Sequence, residues 1–315
     1  MPTRMEACSV GEDVPQAPFE GRVQGVFDLA VNAFDAEGRM VSLMAPGTCA
    51  MPHGVLLDAG SPRSMRELGV RDGDVVSIGD HGLEVWHVLG PPEPFLEIGL
   101  GQASRRPLRV TELGIDLSGA DRARAWTAAW AALRESAAPG TLAAWFGRGD
   151  PGDGSLDLTY LRRAGSALRD LLAAGRRLDG KAAEGAVRCL LGLGAGLTPA
   201  GDDLLVGFIS GLMASAGGGK KRDVFARRLA RVLRAGTGAT AAASAAWLAA
   251  AAKGHTSEPM LRVAECIASG DREAAGGAVA LAVSIGHSSG SEGVLGLLAG
   301  LDTFARSRSG REDAA

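Results

Sequence analysis

The sequence is short of aromatic side chains, 4 % of its 315 residues, and of lysine, which occurs only at positions 181, 220, 221 and 253. Lysine chemistry therefore has few candidates, and nucleobases would find few stacking platforms. Net charge is −3, so the basic excess that binds a polyanion is missing and no nucleic-acid partner is expected. Cysteine is sparse too: Cys8, Cys49, Cys189 and Cys266 are widely separated, with no CxxC. That pattern indicates neither a zinc knuckle nor a disulfide framework. Reduced thiols and a cytoplasmic setting are the expectation, since MPTRMEACSVGEDVPQ contains no apolar leader segment. Long hydrophobic runs are also missing. The uncharged stretches 235–252 and 274–291 are mostly Ala, Gly, Ser and Thr, short of a bilayer span in length and hydrophobicity, so no membrane partner is expected.

What abounds is glycine, 46 residues. It has no three-residue period, proline is only 14, and hydrophobic residues reach 46 %, so collagen-like and disordered readings fail. The chain has enough apolar material for one large domain or two ordinary ones.

The pattern of the first third is strand-like. From about 20 to 90, RVQGVFDLAVNAF, RMVSLM, GVLLDAG and DGDVVSIGDHGLEVWHV are short apolar runs separated by Asp-Gly and Gly-rich turns. GPPEPFLEIGLGQASRRP reads as a proline-rich connector. From about 119, ADRARAWTAAWAALRESA, LTYLRRAGSALRDLLAAGRRL and GKAAEGAVRCLLGL carry apolar residues at helical spacing with arginines opposite. The segregation predicts an α+β protein: an N-terminal β-rich sheet or small barrel with its connector over 1–110, then a larger Ala/Gly-rich helical domain over 111–315. The segments differ mildly in charge, with 9 basic and 15 acidic residues in the first. The tail RSRSGREDAA is expected to be disordered.

Chemistry concentrates in LLGLGAGLTPAGDDLLVGFISGL, 190–212. It fails as a Walker A loop, because Asp202-Asp203 stands where Lys-Ser/Thr is needed, and as a dinucleotide fingerprint, because Leu197 or Pro199 replaces a required glycine. Thr198 is a good N-cap and Pro199 a good first helical residue, which puts Asp202 and Asp203 in or just past the first turn of a helix running to Ala214. The plain alternative is that both aspartates complement the helix dipole. An adjacent pair in so apolar a run nevertheless calls for pairing, hydrogen bonds or a metal.

A second run, IGHSSGSEGVLGLLAGL, repeats the design at an offset of 89 residues, placing Gly290 on Gly201, Ser291-Glu292 on Asp202-Asp203, Gly296 on Gly207 and Gly300 on Gly211. Ser289 to Glu292 also matches a capping box. Two similarly packed helix starts would explain this equally well. The sharper hypothesis is that the starts face each other across a pseudo-twofold axis, with Asp202, Asp203, His287, Ser288, Ser289 and Glu292 lining one pocket. Between them, Thr240 and Ser244 lie on one face of an Ala-rich helix followed by His255 and Glu258, a weaker candidate segment.

Helix N-termini with hydroxyls suit an anion, while paired carboxylates repel one. Either Mg²⁺ held by Asp202 and Asp203, or a ligand with an anionic end and amide N–H donors, would reconcile them. His287 would then carry a proton or donate a hydrogen bond.

GLGAGLTPAGDDLLVGF, the HTSEP segment and GHSSGSEGVLGLLAGL together resemble the bacterial family of AllH (also called YlbF), a subunit of oxamate carbamoyltransferase. The resemblance is motif-dense over about 185–301. It implies phosphorolysis of oxalurate to oxamate and carbamoyl phosphate, in allantoin or purine catabolism, by a complex with an FdrA-like and a third subunit. Ala195 and Ala200 stand where the family usually has Pro and Ser, which removes one hydroxyl from the motif. The expected substrate-binding set is Gly194, Gly196, Thr198, Gly201, Ser288, Ser289, Gly290 and Glu292, with His255 and Glu258, and the catalytic set Asp202, Asp203 and His287. A homo-oligomer, a non-catalytic assembly or sensing subunit, and a metal-dependent hydrolase or carboxylase acting on a small amide remain open at this point.

Overall fold

A computed structural model describes residues 2–16, 18–80, 82–148, 156–217, 219–286 and 288–305. The tail RSRSGREDAA lies outside the described residues, as does His287. The chain divides into two compact units, Met1–Leu108 and Arg109–Ala315.

The first unit is a closed eight-stranded barrel of β1 (Thr3–Val10), β2 (Phe19–Val26), β3 (Ala30–Phe34), β4 (Met40–Met44), β5 (Gly54–Leu57), β6 (Val75–Gly79), β7 (Gly82–Trp86) and β8 (Leu96–Gly99). Its interior is filled by apolar residues, including Val23, Val31, Leu43, Val55, Val76, Leu83 and Ile98. Two strands fall outside the stretch read as β-rich: β1 precedes it and β8 lies inside the apparent proline-rich connector. They form the parallel β1–β8 pair that closes the barrel. Closure leaves no free sheet edge, and it joins segments more than 90 residues apart, which no local pattern announces.

The second unit is helical: α1 (Ala120–Ser136), α2 (Leu142–Arg148), α3 (Leu156–Arg177), α4 (Gly180–Leu190), α5 (Ala200–Ala216), α6 (Lys220–Gly236), α7 (Ala242–Ala251), α8 (Glu258–Ser269), α9 (Arg272–Val283) and α10 (Ser289–Asp302). At its centre are α5 and α10, buried over nearly their whole circumference. That burial explains why both are apolar all round and not amphipathic.

Their glycines set the packing. A Cβ on Gly207 would lie 1.9 Å from the Gly293 carbonyl oxygen, and one on Gly296 would lie 2.1 Å from that of Leu204. One turn on, Gly211 would meet the Leu297 carbonyl at 2.2 Å and Gly300 that of Phe208 at 2.2 Å. Contacts advance together along both helices, so α5 and α10 run parallel, backbone against backbone, and start at the same end.

The symmetry extends outward. Asp179 and Asp271, 92 positions apart, cap α4 and α9 through their carboxylates. Each follows a left-handed residue, Leu178 (φ 55°) and Gly270 (φ 79°). The closing bonds also correspond: Asp179 N–H donates to Ala174 O and Asp271 N–H to Cys266 O, while Gly201 N–H donates to Leu193 O and Gly290 N–H to Ile285 O. Helices α3–α4–α5 and α8–α9–α10 are thus two copies of one three-helix unit. The offset drops from 92 to 89 because the loop before α5 is three residues longer.

Gly207→Ala should therefore destabilise the protein by about 3 kcal/mol through backbone overpacking. Gly277→Ala, in the exposed interior of α9 with nothing within 4 Å, should stabilise it by about 0.5–1 kcal/mol. Chemical denaturation of both variants checks the pair.

Candidate functional site

Parallel packing brings two helix N-termini, and so two positive dipole ends, to one place. The acidic residues of the two Gly-rich motifs gather there. Asp202, 1 % exposed, accepts the Gly192 N–H on Oδ1 at 2.8 Å and the Thr240 hydroxyl on Oδ2. Both its oxygens are thus engaged by neighbouring elements. Thr240, read as part of a minor segment, is a clamp on this carboxylate.

Asp203 and Glu292 occupy equivalent positions of the two repeats. Glu292 is 1 % exposed and accepts the Leu142 N–H at 2.7 Å and the Ala143 N–H at 3.0 Å, so it closes the start of α2. Burial pushes its carboxyl up to about 8 against the pull of those two amides, with Asp203 adding to the rise. Asp203 keeps one buried oxygen, Oδ2, without a hydrogen-bond partner. Burial pushes this carboxyl up to about 7, the Ser289 hydroxyl opposing, Asp202 reinforcing and the Thr198 hydroxyl opposing. The Thr198 and Ser289 hydroxyls bond each other at 3.0 Å and so join the two motif loops.

Two local expectations need correction. The N-cap of α5 is Pro199 and not Thr198, because the Thr198 side chain is spent on Ser289. The Ser289–Glu292 capping box does not form: the N-cap is Ser288, without a side-chain cap bond, because Glu292 bonds the amides of α2 instead. Gly201 and Gly290 serve close approach, each Cβ position lying 2.1 Å from a carbonyl oxygen, of Leu190 and Ala282 respectively. Gly194 (φ 129°) and Gly196 (φ 93°) shape an exposed loop, in which the N–H groups of residues 194–198 bond no other described residue. His255 and Glu258 sit on the separate segment leading into α8, where His255 forms a backbone bridge with Arg109.

Tyr160 on α3, the one tyrosine of the chain, was not singled out by the sequence. Its hydroxyl is buried without a hydrogen-bond partner. Burial first, then the charges of Glu292 and Asp203, raise its pKa and keep it a proton-bearing donor. A lone tyrosine at ordinary helical spacing gives no signal; only the fold sets it near the acid pair. Among the described residues no group of three or more His, Cys, Asp or Glu is placed to hold a metal ion.

Barrel and repeat-built helical unit together define a two-part protein with an acid pair, Asp203 half-buried and Glu292 buried, at the joined starts of its central helices. Both parts match family models: residues 6–100 match the AllH family N-terminal domain and residues 190–301 match oxamate carbamoyltransferase subunit AllH. The chain belongs to the AllH family. No curated protein and no solved structure matches it significantly. No helix among the described residues is long and apolar enough to cross a membrane.

Because Asp203 and Glu292 bind protons more tightly folded than unfolded, their contribution to stability is full in acid and lost as pH rises from about 4 through 7 and 8. Urea melts should show stability falling between pH 5 and 8 by on the order of 1–2 kcal/mol more in the native protein than in Asp203→Asn.

Proposed function

We propose that the joined starts of α5 and α10 are the substrate site of a carbamoyl-transferring subunit that acts on a small carboxylate bearing a ureido group. The observation that carries this reading is Asp203: half-buried, with a buried oxygen that has no hydrogen-bond partner, beside the Thr198–Ser289 hydroxyl pair and equivalent in the repeat to Glu292.

In oxalurate phosphorolysis an oxygen of phosphate attacks the terminal ureido carbonyl carbon, the bond from that carbon to the oxamate nitrogen breaks, and the nitrogen takes up a proton. A carboxyl poised near pH 7 supplies that proton and is reprotonated by the one the phosphate hydroxyl releases as its oxygen bonds to the carbonyl carbon; the reverse direction runs the same transfers backward. The N–H groups of residues 194–198 offer donors to the substrate carboxylate. The Tyr160 hydroxyl offers one more to a carbonyl oxygen, and Asp202, held at both oxygens, positions the motif. Ser288, His287, Gly194 and Gly196 belong to the binding loops in this reading, which also includes partner subunits in a complex and a place in allantoin or purine breakdown. Mg²⁺ would have to displace the Gly192 and Thr240 donors to gain Asp202. Asp203 Oδ2 is the oxygen it would meet unengaged.

A second reading, an assembly subunit in which these helix starts serve packing alone, is favoured by the glycine contacts between α5 and α10. One experiment separates the two. With the complex reconstituted from its co-purifying subunits and assayed for carbamoyl phosphate, Asp203→Asn should lower turnover at least 100-fold while leaving subunit pull-down intact. Normal turnover with weakened assembly would support the packing role.

A further inference from the structure

A second feature of the helical unit lies between α4 and α6. Helix α6 carries seven Lys and Arg residues against one Asp in its 17 positions, within a chain of net charge −3. Spacing sorts them: Arg228 and Arg231 lie one turn apart on the side facing α4, where Glu184 and Arg188 lie one turn apart in return. The two ridges enclose a groove of about 840 Å³, within the size range of small-molecule sites.

Its polar and apolar parts are distinct. Arg188 and Arg231 are exposed and bond no other described residue. Arg228 is pre-set: its Nε donates to Glu184 at 2.6 Å, and its guanidinium lies against Gly180, where a Cβ would come within 2.7 Å. Glu184 takes up one of the three positive charges and leaves a net local excess of two. Leu191, Val232 and Ala235 supply an apolar wall. The lining includes Leu191 and Ala239, the chain neighbours of Gly192 and Thr240, which hold Asp202. The groove therefore adjoins the acid site but is chemically its opposite.

We propose that this groove binds a phosphoryl-bearing anion. Guanidinium groups match phosphoryl oxygens two at a time, and orienting one of the three in advance lowers the ordering cost. The ligand is either an inorganic phosphate species or a phosphate ester whose organic part lies on the Leu191–Val232–Ala235 wall.

Titration calorimetry on the full chain at low ionic strength, with pyrophosphate as the probe, tests this. A saturable single site is expected, and Arg188→Ala/Arg231→Ala should weaken it at least tenfold. Lys220→Ala/Lys221→Ala removes the same charge from α6 outside the groove lining and should change affinity less than twofold. Absence of saturable binding, or equal loss in both double variants with unchanged thermal melts, overturns the proposal, the latter because it would reflect only the basic surface of α6. AMP against inorganic phosphate separates the two ligand sources: tighter AMP assigns the apolar wall to an ester, and equal affinity assigns the site to inorganic phosphate.

Discussion

The helical unit depends on one contact, the backbone-to-backbone packing of α5 on α10. Four glycines, Gly207, Gly211, Gly296 and Gly300, each face a carbonyl oxygen of the opposite helix at a distance that leaves no room for a methyl group. Such proximity requires glycine in both helices at matched positions, at a cost in helix propensity of roughly 1 kcal/mol each relative to alanine. The return is a rigid pair whose first turns are held side by side.

Parallel packing has an electrostatic consequence. Two positive helix ends in one place repel each other, and the three acids of the two motifs gather there. Each is treated differently by its surroundings. Asp202 is saturated by Gly192 and Thr240, Glu292 by two amides of α2, and Asp203 keeps an oxygen without a partner. Repeat symmetry is thus broken where chemistry is expected: Asp203 and Glu292 are equivalent by position, yet one is a structural bond acceptor and the other is available.

Much of this was legible in advance. The change from strand to helix near residue 110, the equivalence of the two Gly-rich runs and the placement of Asp202, Asp203 and Glu292 near two helix starts all follow from local patterns. The longer repeat was not, because outside the Gly-rich runs its copies share geometry more than residues: Leu178 in one occupies the left-handed position that Gly270 fills in the other. The capping box fails although Ser289 and Glu292 have the right spacing for it, because α2 competes for the same carboxylate and nothing local shows that.

By itself the sequence determined the change from strand-rich to helical segments and the two Gly-rich helix starts with their acids, because helix and strand periods, turn residues and close-approach glycines act over a few residues. Only the tertiary structure decided that the barrel closes through β1 and β8, that α5 and α10 run parallel, and that Tyr160 and Thr240 join the acids. Those are matters of which distant segments share a neighbour, and the burial that raises the Asp203 and Glu292 carboxyls toward neutrality arises only once those neighbours have excluded water.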